Sequence, residues 1–171
     1  MNAGAYDGEM KDVLASVTAL DINGNIREYS ADELEMSYRH SRFTDSGEVI
    51  LSAEFKLQKA DKNSIKARMS ELMEKRRSKQ PLEFPSAGST FKRPEGAYAA
   101  QLIEECGLKG FTVGNAQVIE KHSGFVINRG GASFDDVMAV IAAVKKTVAE
   151  KTGYKLECEP IIISEREEYR K

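Results

Sequence analysis

The chain has 171 residues, 41% apolar and 30% charged, with 25 Lys+Arg against 27 Asp+Glu for a net charge of −2. That length supports one ordinary domain or two small ones around a real core, and excludes disorder, collagen-like sequence and a bare coiled coil. The pI of about 5.8 excludes a general nucleic-acid binder, and no uncharged apolar run nears the ~18 residues of a membrane span.

The first ten residues, MNAGAYDGEM, are small, Gly-rich and without a helix start signal, so they read as the inside of a loop. Residues 13–20 (VLASVTAL) alternate as a strand, 21–25 (DINGN) carry an Asn-Gly turn, and 26–29 return as a second strand. Residues 31–36 allow a short helical turn, and 37–46 form a polar loop. Residues 48–57 (EVILSAEFKL) make the clearest strand of this half, rich in β-branched and aromatic positions.

From Asp61 the period changes. Ile65, Met69, Leu72 and Met73 fall at helical spacing, Ser64 can cap the start, and Pro81 forbids continuation, which predicts a helix over 64–78 packed on a sheet. Residues 80–96 contain Pro81, Pro85, Pro94, Gly88 and Gly96 and read as loop. A second helix over 97–106 turns Tyr98, Leu102, Ile103 and Cys106 inward and ends at Gly107. Short strands follow at 115–119 and 125–128. Ser133 and Asp136 form a capping box for a third helix over 133–151, with Phe134, Val137, Met138, Ile141, Val144 and Val148 in one stripe and Gly153 as its stop. Residues 154–164 read as a last strand before a charged tail at 165–171. The class is α+β, with a β-rich first third.

Cys106 and Cys158 are too few for a disulfide framework, and His40 and His122 are too far apart in sequence to suggest zinc. The chain opens without a basic region and apolar core of the secretory kind, so a soluble cytoplasmic protein is expected. Four segments carry possible chemistry. In PSAGSTFK, Gly88 would let the backbone approach a ligand while Ser89 presents a hydroxyl; no Gly-x-Ser-x-Gly elbow or His–Asp pair activates that serine. In YRHSRF, Arg39 offers a planar fork for a carboxylate or phosphate, or belongs to a solvated basic loop. The cations of KRRSK suit a helix C-terminus by themselves. In LECE, Glu157 and Glu159 share a face, and either points into a site or into solvent.

Taken in order, YRHSRF, RRSKQP, PSAGSTFKRP, AAQLIEECGLKG, GNAQVIEKHSGFVIN and LECE resemble the UDP-N-acetylenolpyruvoylglucosamine reductase (UDP-N-acetylmuramate dehydrogenase) family of peptidoglycan precursor synthesis. PSAGSTFK with GLKG and KHSGFVIN is specific as a set, and NAGAYDGEM is similar to an internal GAYGGE segment. The resemblance implies the second half of a flavoenzyme: residues 1–58 as the end of an FAD-binding domain and 59–171 as a mixed α/β substrate-binding domain. Such enzymes pass a hydride from NADPH through FAD to C3 of UDP-N-acetylglucosamine enolpyruvate, while C2 receives a proton.

By the same resemblance Ser89 is the proton donor, and Arg39 and Glu159 stabilise the enolate-like charge beside the substrate carboxylate. Lys79, Lys109 and His122 would contact the nucleotide–sugar, and Arg76 and Tyr38 the flavin. Ser89, Arg39 and Glu159 are expected to converge on one cleft. Two positions depart from the pattern: Arg93 stands where the family has Asn in FKNP, and Pro160 follows Glu159 where Val-Arg is usual. Gly-rich segments that cradle the FAD pyrophosphate precede the GAYGGE region in the family and are not among these 171 residues, so the chain is expected to be inactive alone and to self-associate through an open sheet edge. The alternative is a non-catalytic UDP-sugar-binding or interaction domain of a truncated paralogue. No nucleic-acid, membrane or metal partner is expected.

Overall fold

A computed structural model describes residues 1–164, which divide into two compact units, Met1–Leu72 and the residues from Met73 onward. The tail expected at 165–171 lies outside the described residues. The first unit opens with β1 (Gly4–Ala5) and β2 (Gly8–Glu9), an antiparallel hairpin where the sequence suggested only loop. Its turn residues Tyr6 and Asp7 both have positive φ, 51° and 66°, as a two-residue turn matching strand twist requires. With strands only two residues long, no alternation announces this hairpin in the sequence. The buried Asn2 ties the hairpin: its amide donates to Glu9 at 3.0 Å and its carbonyl accepts from Lys11 N–H at 3.1 Å.

Three longer strands follow, β3 (Leu14–Leu20), β4 (Ile26–Ser30) and β5 (Val49–Phe55), in the antiparallel order β4-β3-β5. The Asp21 carboxylate accepts the Asn23 and Asn25 N–H groups, both at 2.9 Å, and fixes the β3–β4 turn. Leu14, Val17, Ala19, Tyr29 and Leu34 form the core of this unit, with Met36 and Phe43 against it. Among the described residues β5 pairs on one side only, and every one of its residues is exposed.

Helix α1 (Lys62–Lys79) runs through the boundary between the units. The expected packing of its apolar stripe is not found. None of its residues is buried, and Ile65, Met69 and Met73 are 44%, 65% and 45% exposed. The helix rests instead on local bonds. Asp61, rather than Ser64, is the cap, accepting the Asn63 and Ser64 N–H groups at 2.9 Å. Arg68–Glu71 and Arg77–Glu74 add i,i+3 ion pairs.

The second unit sets a four-stranded antiparallel sheet against two helices. Its elements are β6 (Ser86–Ser89), α2 (Ala99–Glu105), β7 (Thr112–Val113), β8 (Ala116–Val118), β9 (Phe125–Asn128) and α3 (Phe134–Thr152), with sheet order β6-β9-β8-β7. β6 and β7 were not foreseen: β6 hides in the Pro-rich stretch because its SAGS sequence carries no strand-like alternation. The core joins Leu102, Ile103 and Cys106 of α2 and its cap to Val140, Ile141, Val144 and Val148 of α3 and to Val118 and Val126 of the sheet. Burying each such aliphatic side chain contributes about 1.5–3 kcal/mol. Tyr98 does not turn inward as expected; it is 56% exposed, with the Arg93 guanidinium 4.1 Å above its ring.

The capping box holds as read. Ser133 Oγ accepts the Asp136 N–H, and the Asp136 carboxylate accepts the Ser133 N–H, each at 3.0 Å. The Ser133 N–H foremost, and then the Asn115 N–H, hold the Asp136 carboxyl below its ordinary range. A depressed folded-state pKa gives stability that is present above the unfolded carboxylate value and lost as pH falls through the folded one. The thermal midpoint of this unit should therefore drop between pH 5 and pH 3, and Asp136→Asn should flatten that dependence. A melt series that is equally steep in both proteins would refute it.

The predicted strand at 154–164 is not formed. Lys92 N–H bonds to Glu157 O, and Glu159 N–H to Thr90 O, both at 2.9 Å, around a single antiparallel bridge between Phe91 and Cys158. Pro160 then ends the pairing, because it has no N–H to donate.

Candidate functional site

β6 is irregular by design of its sequence. Ser86 lies opposite Ile127 and Ser89 opposite Phe125, so the strand carries one extra residue between these pairs. Gly88 takes it up at φ +82°, with open space where a Cβ would stand. A bulge of this kind re-aims the next side chain, and Ser89 is left exposed at the strand end. Thr90 beside it is the buried hub, a role the sequence reading missed. Its N–H donates to Gly124 O at 2.8 Å, its hydroxyl accepts the Val126 N–H at 3.0 Å, and its carbonyl accepts the Glu159 N–H at 2.9 Å.

Glu159, 70 positions from Ser89 in sequence, is thus hydrogen-bonded through its backbone to the residue next to that serine. Glu157, the other carboxylate considered, is exposed and pairs with Lys92 Nζ at 3.2 Å. The turn after β8 carries His122, whose Nδ1 accepts the Gly124 N–H at 3.2 Å while its ring meets Phe125 edge-on at 5.1 Å. That bond places the proton of the neutral ring on Nε2. Lys109 is paired with Glu104 at 2.6 Å, so an anion binding there competes with a carboxylate. Lys79 closes α1, and Arg76 lies one turn before it; both are exposed.

Below β6 and β9 lies an apolar cavity of about 470 Å³, bounded by Phe134, Val137, Met138 and Ile141 of α3 and by residues 160–163. Among the described residues its polar lining is Ser86, Thr90 and Asn128.

Tyr38 and Arg39 belong to the first unit. Ser37 and His40 exchange backbone hydrogen bonds at 3.3 and 3.1 Å, leaving Tyr38 and Arg39 as the two tip residues of a tight turn. Arg39 takes φ +55°, a conformation that costs an L-residue of order 1 kcal/mol, and its guanidinium sits 5.1 Å from the Tyr38 ring centroid. This turn and the β1–β2 hairpin line a polar cavity of about 480 Å³, with Tyr6, Lys11, Tyr38 and Arg39 in its wall. Glu9 carries a carboxyl held below its ordinary range, first by Lys11 and then by Asn2. A Cβ added to Gly8 would meet only Ala5 O, at 3.8 Å, so this wall is open to close approach. The sequence located these residues individually. It gave no sign that hairpin and turn share one cavity.

Among the described residues no helix is long and apolar enough to cross a membrane, and no group of three His, Cys, Asp or Glu side chains is placed to hold a metal.

Residues 80–163 match the C-terminal domain of UDP-N-acetylenolpyruvoylglucosamine reductase. The chain is 55% identical over 168 residues to the UDP-N-acetylenolpyruvoylglucosamine reductase of Clostridium novyi, covering 98% of this chain and 55% of that protein. It is 53% identical over 165 residues to the reductase of Pediococcus pentosaceus, covering 96% and 55% respectively. A crystal structure of the Thermus caldophilus UDP-N-acetylenolpyruvylglucosamine reductase superposes with a TM-score of 0.78 at 35% identity, over 93% of this chain and 56% of that one. The chain spans about half the length of the relatives it matches.

Proposed function

Residues 80–163 are a C-terminal domain of the UDP-N-acetylenolpyruvoylglucosamine reductase family, and on that premise we propose that the chain supplies the proton-donating and substrate-holding groups of such a reductase. The reaction is the reduction of UDP-N-acetylglucosamine enolpyruvate to UDP-N-acetylmuramate, in cytoplasmic peptidoglycan precursor synthesis. The observation that carries the reading is the bulged β6, which presents Ser89 next to a backbone bond from Glu159. In this reading Ser89 gives its proton to C2, and Glu159 and Arg39 stabilise the charge that develops on the neighbouring carboxylate. Lys79, Lys109 and His122 hold the nucleotide–sugar, with Nε2–H as the His122 donor. Residues 1–58 complete an FAD-binding domain and 59–171 form the substrate domain.

FAD, reduced by NADPH, would supply the hydride for C3. The polar cavity of the first unit suits part of that cofactor: an aromatic ring at Tyr38, cations at Lys11 and Arg39, and the unobstructed Gly8 wall. Arg76, on the exposed end of α1, is the second cofactor contact proposed. These 171 residues do not include the Gly-rich segments expected to cradle the pyrophosphate, whose N–H groups carry much of such affinity. The exposed edge of β5 also suits pairing with a second copy of the chain.

Calorimetry on the 171-residue chain tests this directly. We expect weak binding of the UDP-sugar, lost in Lys79→Ala/Lys109→Ala, no micromolar FAD binding, and no substrate-dependent NADPH oxidation. Micromolar FAD binding with turnover would show that the flavin site is misplaced here. Absence of any nucleotide–sugar binding would remove the substrate-holding role.

A further inference from the structure

Arg39 sits at the tip of a two-residue turn closed by Ser37 and His40, and the residues that follow the turn are held by an unusual cluster. Three residues later Arg42 lays its guanidinium 3.8 Å above the Tyr29 ring, and Nη1 donates to Glu33 O at 3.3 Å. The Tyr29 hydroxyl donates to the Glu48 carboxylate. The Arg42 Nε and a Glu48 carboxylate oxygen face each other at 3.6 Å; both atoms are buried and without a hydrogen-bond partner among the described residues, so charge attraction and ring stacking join the Glu33 bond in holding the arginine there. Phe43 meets the same Tyr29 ring edge-on at 5.8 Å. Between anchor and tip lies Ser41, 1% exposed, whose N–H donates to Thr44 Oγ1 at 3.1 Å. The chain from Ser41 to Thr44 is thus fastened to β4 and to the start of β5.

We infer that Tyr29, Glu48 and Arg42 form an anchor that positions Arg39, although none of the three lies in the wall of the cavity that Arg39 enters. The inference rests on the reading of Arg39 given above for its catalytic consequence, and on geometry alone for the anchoring. The choice of arginine matters. A lysine keeps the charge toward Glu48, but has no planar face to stack on Tyr29.

Two measurements test it. Amide hydrogen exchange on the 171-residue chain should show His40 and Thr44 exchanging at least 10-fold faster in Arg42→Ala, with Val17 and Ala19 of β3 unchanged. Glu48→Gln keeps the volume and an acceptor for Tyr29, and should loosen the same two amides to a lesser degree. For kinetics, this chain replaces its matching portion of the Clostridium novyi reductase. There Arg42→Ala should lower kcat about 10-fold with KM little changed, Arg42→Lys should recover part of the loss, and Arg42→Ala should have no further effect in an Arg39→Ala background.

Unchanged exchange at His40 and Thr44 in both variants overturns the anchor. Losses that simply add in the double variant overturn the claim that it works through Arg39. If the amides loosen but Arg39→Ala is silent in turnover, the anchor stands and the enolate-stabilising role of Arg39 falls.

Discussion

Replacing Gly114 by alanine is expected to destabilise the second unit by about 2–3 kcal/mol, combining left-handed backbone strain with loss of a helix cap. Gly114 occupies the first central position of the two-residue turn joining β7 to β8, at φ +53°. A Cβ built there would stand 2.4 Å from the Asp136 carboxylate. That carboxylate is the far end of a side chain, but it is not free to swing. It holds the Ser133 N–H at 3.0 Å and the Asn115 N–H at 3.4 Å, so one group caps α3 and braces the β7–β8 turn. Displacing it unfastens both. For a unit of this size the loss corresponds to a midpoint roughly 10–20 °C lower. Gly107→Ala is the control: φ +76° imposes the backbone strain with nothing within 4 Å to displace, so it should cost about half as much or less. In an Asp136→Ala background the Gly114→Ala penalty should shrink to that of the control. A penalty as large as in the parent would show that Asp136 is not what the methyl group strikes.

The same contact marks the limit of what the sequence discloses. Ser133 and Asp136 are three apart, and their capping box is readable at sight; Gly114 is twenty-two residues from Asp136, and no local pattern announces that partnership. α3 was legible because its apolar stripe repeats at helical spacing, although Val140, fully buried, went unnoticed beside it. α1 shows the reverse failure. Ile65, Met69 and Met73 repeat as if for a core, yet the helix buries nothing among the described residues, because periodicity specifies a face and never its partner. β6 was missed since Ser, Ala and Gly carry no strand propensity; its pairing is imposed by β9, whose FVIN sequence does. For the candidate site, motif order placed Ser89 and Glu159 on the same short list. The bond from Glu159 N–H to Thr90 O had no sequence counterpart, because it joins a Pro-rich stretch to a segment that forms no strand.

Ser89→Ala is expected to lower turnover by roughly 10²–10⁴-fold, the range that a positioned general acid contributes. The measurement belongs in the chimera with the Clostridium novyi reductase, where both half-reactions can be followed separately. Ser89 stands exposed at the end of β6, re-aimed by the bulge at Gly88, and its hydroxyl is the only polar group the side chain offers. Removing it takes away the proton for C2 and adds no bulk, so substrate affinity should change little. Flavin reduction by NADPH needs no proton at C2 and should proceed at its normal rate in Ser89→Ala, with the loss confined to the step that consumes substrate. Gly88→Ala provides a geometric counterpart. There is space for its methyl group, but φ +82° strains an L-residue, so relaxation of the bulge should redirect Ser89 and lower the same step without touching the hydroxyl itself. Equal losses in both half-reactions of Ser89→Ala would remove serine from the proton-donor role. Full activity in Gly88→Ala would mean that the bulge does not aim it.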